Sequence, residues 1–174
     1  MQQRFLIDKI TNSIESRLTG ESFQTTLTAV SEKEVKSIFK KDGWEFNWRQ
    51  EYKRNSHKIY KLTLFNDQAL QGLISFEPMD NFIEMHLVEN APHNKGDKRE
   101  YFGVAGNMVA FVCKMSFELG LEGCVAFTAK KNVINHYREA LGAQLIYGHQ
   151  RMGIFRDSAK KLVTSYYKDF FNGR

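Results

Sequence analysis

The chain has 174 residues, 42% hydrophobic and 26% charged, with 12 Gly, 2 Pro and 2 Cys. That balance excludes disordered, collagen-like and coiled-coil classes and suits one globular domain able to bury a core. The net charge is +5, and residues 33–61, with nine Lys/Arg against four Asp/Glu, account for the whole excess.

Phe5, Ile7, Ile10, Ile14 and Leu18 fall near helical spacing and predict a helix over 4–18, stopped at Gly20. Residues 22–30 alternate as a strand. Ser31 and Glu34 form a capping-box pattern that opens a helix to about Lys41, before Asp42-Gly43 ends it. Trp44, Phe46, Trp48, Tyr52 and Tyr60 are interleaved with the basic residues. Two readings are open for them: a base-stacking surface, or an ordinary half-buried strand, since 45–50 alternate. Runs 57–65, 69–77 and 82–89 read as an antiparallel meander, divided by Asn66-Asp67 and by the turn residues 78–81. A polar loop follows to Tyr101. Val104, Met108, Phe111, Val112, Met115 and Leu119 then predict a helix over 104–119, ended by Gly120. A short strand at 125–127, a helix over 132–141 closed by Gly142, a hairpin of 143–147 with 150–155, and an amphipathic helix over 157–171 complete the chain. The fold class is α/β: a mixed, mostly antiparallel sheet with helices on its faces.

Two cysteines, Cys113 and Cys124, without C-x-x-C spacing point to packed thiols and not to a disulfide scaffold or zinc. His57, His93, His136 and His149 show no ligand spacing, so no metal is expected. No stretch approaches the ~18 apolar residues of a membrane span, and charge arrives too early for a signal-peptide core. A single cytoplasmic domain over 1–174 is the expectation.

The informative segment is Gly103-Val104-Ala105-Gly106-Asn107, between a strand and a helix. The first helical turn leaves backbone N–H groups unpaired beside the positive end of the dipole, and glycine removes the Cβ that would hold a phosphate away. A plain helix start with tight packing is the other reading. No Gly-Lys-Ser/Thr follows, so this is not a Walker loop, and a preceding meander fits a Rossmann unit poorly.

With strands 69–77 and 82–89, this turn, helix 104–119, strand 124–128 and Tyr137-Arg138-Glu139-Ala140-Leu141-Gly142-Ala143, the chain resembles the GNAT acetyltransferase superfamily over about residues 22–155. The resemblance implies a sheet splayed between two middle strands, with acetyl-coenzyme A as co-substrate. The family's Gln/Arg-x-x-Gly-x-Gly/Ala turn matches Glu100-Tyr101-Phe102-Gly103-Val104-Ala105, with Glu100 at the first position and Arg99 and Lys98 beside it to supply a cation. Gly103 through Asn107 would bind the pyrophosphate, and Leu87 and Val88 would meet the pantetheine arm through their backbone. The family's Asn before the late tyrosine falls on Lys130, with Asn132 close by. Loop 90–102 is longer than the family's link, either a solvated excursion or a lid. Tyr137 lies five residues before Gly142, which leaves Arg138 in the family's tyrosine register unless one residue is absorbed at the helix end.

Acetyl transfer needs a group to take the amine proton, a donor for the carbonyl oxygen and an acid for the thiolate. Alternation places Ile83, Met85 and Leu87 on one face of their strand, with Glu84, His86 and Val88 on the other. The resemblance makes Glu84 the base, with His86, of ordinary pKa ~6.5, as the fallback, and Tyr137 the acid. The expected function is N-acetyl transfer to an amine of a small molecule or protein. Its rivals are a non-catalytic coenzyme-A-binding or protein-interaction module, and a nucleic-acid-binding domain using 44–61. The expected partner is the amine substrate, with neither membrane nor nucleic acid, and the chain a monomer or homodimer.

Overall fold

Alternating apolar and polar residues along the three middle strands send one row of side chains to each face of the sheet, and each row finds its own helical cover. The structure, a computed structural model, describes residues 13–173. In chain order lie β1 (Ser13–Ser16), β2 (Ser22–Ala29), α1 (Glu32–Lys36), α2 (Trp48–Tyr52), β3 (Lys58–Leu64), β4 (Asp67–Pro78), β5 (Ile83–Asn90), β6 (Tyr101–Phe102), α3 (Val104–Glu118), β7 (Val125–Thr128), α4 (Ile134–Leu141), β8 (Gln144–Tyr147), β9 (Arg151–Ile154) and α5 (Arg156–Tyr166). Among the described residues the strands form one nine-stranded sheet, ordered β6-β1-β2-β3-β4-β5-β7-β9-β8. Neighbours run antiparallel except β5 and β7, which are parallel and joined through α3.

On one face Ile74, Phe76, Ile83 and Met85 pack against Met108 and Val112 of α3 and Leu162 and Val163 of α5. Gly72 of β4 lies under α3: a Cβ there would stand 2.7 Å from Met108 Cε and 3.0 Å from Val104 Cγ1. The missing side chain lets the helix N-terminus sit down on the sheet. On the opposite face Ile59 and Leu73 pack with Val35, Ile38, Trp44 and Trp48.

The meander, the strand at 125–128, the terminal hairpin and α3 fall where the pattern predicts. Four elements differ. Of the helix expected over 4–18, residues 4–12 lie outside the described residues, and 13–16 form β1, paired with β2 and β6. Ile14 is buried there as one member of a strand row, while Gly20, at φ 72°, turns the β1–β2 hairpin. The Ser31–Glu34 capping box is formed, but α1 ends at Lys36. The Ser37 hydroxyl takes the Glu34 carbonyl at 2.6 Å, competing with the helix ladder. Residues 45–50 are not a strand: Asn47 accepts from Gln50 N at 3.0 Å and caps α2. Trp44 and Trp48 are buried in the core and so are unavailable for stacking. The last helix stops at Tyr166, and Phe170 and Phe171 turn back onto Phe117.

Candidate functional site

Strand β5 pairs with β4 along its whole length but with β7 only at Ile83–Val125 and Glu84–Ala126. Beyond Glu84 the two parallel strands part, because β7 ends at Thr128 and the chain turns through a short 3-10 segment, Lys131–Val133, into α4. The fork opens a cleft of about 510 Å³. Leu87 and Val88 line it from β5, Phe127 from β7, Ala105, Gly106 and Val109 from α3, and His136 and Tyr137 from α4. Because no strand lies alongside this edge of β5, alternate peptide groups face the cleft unladdered.

The N-terminus of α3 closes one end. Gly103 holds φ 84°, a left-handed conformation that favours glycine, and Asn107 N to Gly103 O at 2.9 Å is the first helical rung. The N–H groups of Val104, Ala105 and Gly106 therefore precede any intrahelical acceptor. Arg99 lines the same cleft. Burial holds the His136 imidazole below its ordinary pKa; Glu139 opposes that shift and Arg99 adds to it, which puts two basic groups within each other's field. Burial pushes the Tyr137 phenol up, so it keeps its proton at neutral pH. The Asn90 Oδ1 atom, in the cleft wall, is buried without a hydrogen-bond partner.

The long 90–102 loop is neither a solvated excursion nor a free lid. Asn94 is fully buried; its amide donates to the Gln71 carbonyl and to Gln71 Oε1, both at 3.0 Å, and its Oδ1 accepts from Tyr101 N at 3.0 Å. So pinned, the loop lends Asn94, Lys95, Gly96 and Arg99 to the cleft wall.

Strict alternation fails on β5. Register slips between Ser75–Leu87 and Phe76–Met85, leaving His86 as the extra residue of a bulge. Val88 therefore joins Ile83 and Met85 on the α3 side and Leu87 packs on the other, the reverse of the predicted faces for these two. Glu84 does not line the cleft: Arg151 grips its carboxylate at two points, 2.6 and 2.5 Å, across to β9. His86 does line it. Among the predicted contacts, Leu87, Val88, Arg99, Ala105 and Gly106 line the cleft. Val104 has its side chain buried in the core over Gly72 and offers the cleft only its backbone N–H. Two are corrected. Asn107 is fully buried and donates to Ser13 O and Thr25 Oγ1, bracing β1 and β2. Asn132 is exposed on the 3-10 segment, while its neighbours Lys130 and Val133 line the cleft. Gly103 acts through its backbone turn. Tyr137, not the exposed Arg138, faces the cleft; Gly142, left-handed at φ 64°, absorbs the extra residue at the helix end.

Two polar clusters had no signature in the sequence. Glu89, buried on β5, accepts from Glu45 N (2.6 Å), Phe46 N (3.2 Å), Trp48 Nε1 (2.8 Å) and Lys95 Nζ (2.6 Å), fixing the 44–48 turn against the strand. The second cluster joins Glu51, His57, Ser75, Glu77 and His86 from four elements or their flanks. Hydrogen bonds from Ser56 and then His86 hold the Glu77 carboxyl below the usual carboxylate range. Facing positions on adjacent strands were the only available signal, and the bulge hides the last of them.

No protein-family model matches the chain, and no curated protein matches it in sequence. Its backbone is similar to several solved structures. One is a chimera of the spermidine N-acetyltransferase SpeG from Vibrio cholerae and hSSAT, with 14% identity, covering 79% of this chain and 98% of that one at TM-score 0.53. Another is a mutant AtaT toxin bound to the C-terminus of the antitoxin AtaR and acetyl-CoA, with 12% identity, covering 81% and 99% at TM-score 0.54. A third is an AtaT–AtaR complex bound to DNA, with 12% identity, covering 79% and 98% at TM-score 0.56. The chain has the fold of these structures, the one the GNAT resemblance predicts. The same structures correct the expected partners. The fold occurs in toxin–antitoxin and DNA-bound assemblies, so leaving out nucleic acid does not hold.

Proposed function

We propose that this chain, which carries the GNAT acetyltransferase fold, moves an acetyl group from acetyl-coenzyme A to a primary amine. The observation that carries the reading is the forked sheet with the α3 N-terminus at its end. The residues present suit the co-substrate. The unpaired N–H groups of the first α3 turn and Arg99 match a pyrophosphate. The open peptide edge of β5 and the unpartnered Asn90 Oδ1 match an arm containing amides, and Val88, Val109 and Phe127 match its methylenes.

Acetyl-coenzyme A supplies the thioester carbon that the amine attacks. A β5 peptide N–H at Leu87 or Val88 donates to the carbonyl oxygen as charge develops there. As the N–C bond forms and the C–S bond breaks, the Tyr137 hydroxyl protonates the leaving thiolate. Glu84 is committed to Arg151, so of the two proton acceptors considered it is His86 that reaches the cleft. Apolar walls and the pinned loop limit water around the thioester.

Release of free coenzyme A thiol, followed with a panel of polyamines, amino sugars and lysine or N-terminal peptide amines, tests this. Turnover is expected with at least one class, and Tyr137→Phe is expected to lower kcat by about 10²-fold or more while acetyl-coenzyme A still binds. Thiol release with no amine, or an unaffected Tyr137→Phe variant, would overturn it.

A further inference from the structure

His57, Glu77 and His86 come from three neighbouring strands or their flanks: His57 immediately before β3, Glu77 on β4 and His86 on the β5 bulge. Among the described residues they form a group of metal-ligating side chains whose donor atoms all lie within 4.8 Å of one another. Glu77 Oε1 stands 3.1 Å from His86 Nε2 and 3.8 Å from His57 Nε2. Two ligands bound ~2.0–2.1 Å from one tetrahedral ion are themselves about 3.3 Å apart, so these separations bracket the required edge.

The carboxylate behind His57 is the second observation. Glu51 Oε1 accepts a hydrogen bond from His57 Nδ1–H, and the same carboxylate is fixed by Ser75 Oγ at 2.6 Å and by Arg54 at 3.4 Å. That hydrogen bond sets the tautomer, leaves the lone pair on Nε2 and aims it toward Glu77. It is the arrangement by which proteins orient a metal-binding imidazole. Glu51 is itself buried, so this support for the ring is held in place on every side.

We propose that His57, Glu77 and His86 form a binding site for a zinc-like divalent cation, with a fourth position left for an exogenous ligand. Two imidazoles and one carboxylate form a borderline ligand set suited to zinc or cobalt and not to calcium or magnesium. The two rings now lie face to face, with centroids 3.7 Å apart and planes within 10°. Binding swings at least one ring out of the stack about its broad terminal torsion so that both Nε2 atoms meet the ion. The site does not depend on the acetyl-transfer reading, because occupancy is measured directly. Where both hold, the ion takes the His86 lone pair and slows turnover while acetyl-coenzyme A still binds.

The test titrates the whole chain, stripped with chelator, with ZnCl2 by calorimetry and with CoCl2 by visible absorption. One ion per chain is expected, and cobalt is expected to give the intense bands of a tetrahedral site. His57→Gln and Glu77→Gln should each abolish the cobalt bands. Glu51→Gln, which leaves all three ligands in place, should weaken affinity by about 10–100-fold. His149→Ala, on the exposed β8–β9 turn, should bind as the parent does. Circular dichroism confirms that each variant is folded, and His86→Gln provides an independent deletion should one fail. Absence of saturable binding, or binding undiminished in folded His57→Gln and His86→Gln variants, would overturn the proposal and leave these side chains a hydrogen-bonded cluster.

Discussion

The two edges of β5 are built for different tasks. On the β4 side the strand is laddered from Ile83 to Asn90, and its one irregularity, the His86 bulge, decides which side chains face which layer. On the β7 side pairing stops after Glu84, and the remaining peptides border a cleft. A single strand thus takes its rigidity from one neighbour and its open edge from the absence of the other. The closed end of the fork is held by charge: Arg151 on β9 reaches across β7 to clamp Glu84.

Removing the buried carboxylate that ties β5 to the 44–48 turn should cost most. Glu89→Ala takes the acceptor from three N–H donors, and leaves Lys95 only Gly43 O and Glu45, in a site where the carboxylate side chain is only 3% exposed. Removing one partner of such a buried pair costs about 3–5 kcal/mol, read as a lower urea midpoint with unchanged slope. Next comes the fork's clamp. Arg151→Ala leaves Glu84 unpaired on a partly buried strand and should cost about 1–3 kcal/mol. The double variant with Glu84→Ala should recover part of that loss, showing that the two residues act as a pair. The smallest effect lies at the cleft mouth. Burial lowers the His136 pKa in the fold, so its contribution is complete above the unfolded value of ~6.5 and is lost as pH falls through the folded value. Parent melting temperatures should therefore decline more steeply below about pH 6.5 than those of His136→Asn, and parallel curves would contradict the assignment.

What the sequence discloses about this site follows the distance over which each signal acts. The α3 turn is contiguous: glycine, small residues and a helix start stand next to one another, so 103–106 could be read directly. Leu87 and Val88 were placed at the cleft by the resemblance, yet their faces were assigned in reverse, because a bulge of one residue inverts alternation and leaves no local mark. Asn107 looked like part of the turn, but its position one rung into α3 points it at Thr25 and Ser13, contacts set by β1 and β2 far away in the chain. Glu84 looked available until Arg151 arrived from 67 residues downstream. Trp44 and Trp48 left a stacking surface and a half-buried strand both open, and Glu89 instead folds their turn into the core. Long-range pairing decided each of these cases.

The central claim, that the open edge of β5 and the first turn of α3 together hold acetyl-coenzyme A, is tested most directly by thermal unfolding with and without the ligand. The parent is compared with Ala105→Trp, whose indole would fill the cleft at the helix N-terminus. At 100 times the dissociation constant the ligand should add about 2.7 kcal/mol to the parent's stability and nothing to the variant's. Equal stabilisation of both, or none in the parent at millimolar ligand, would contradict the account.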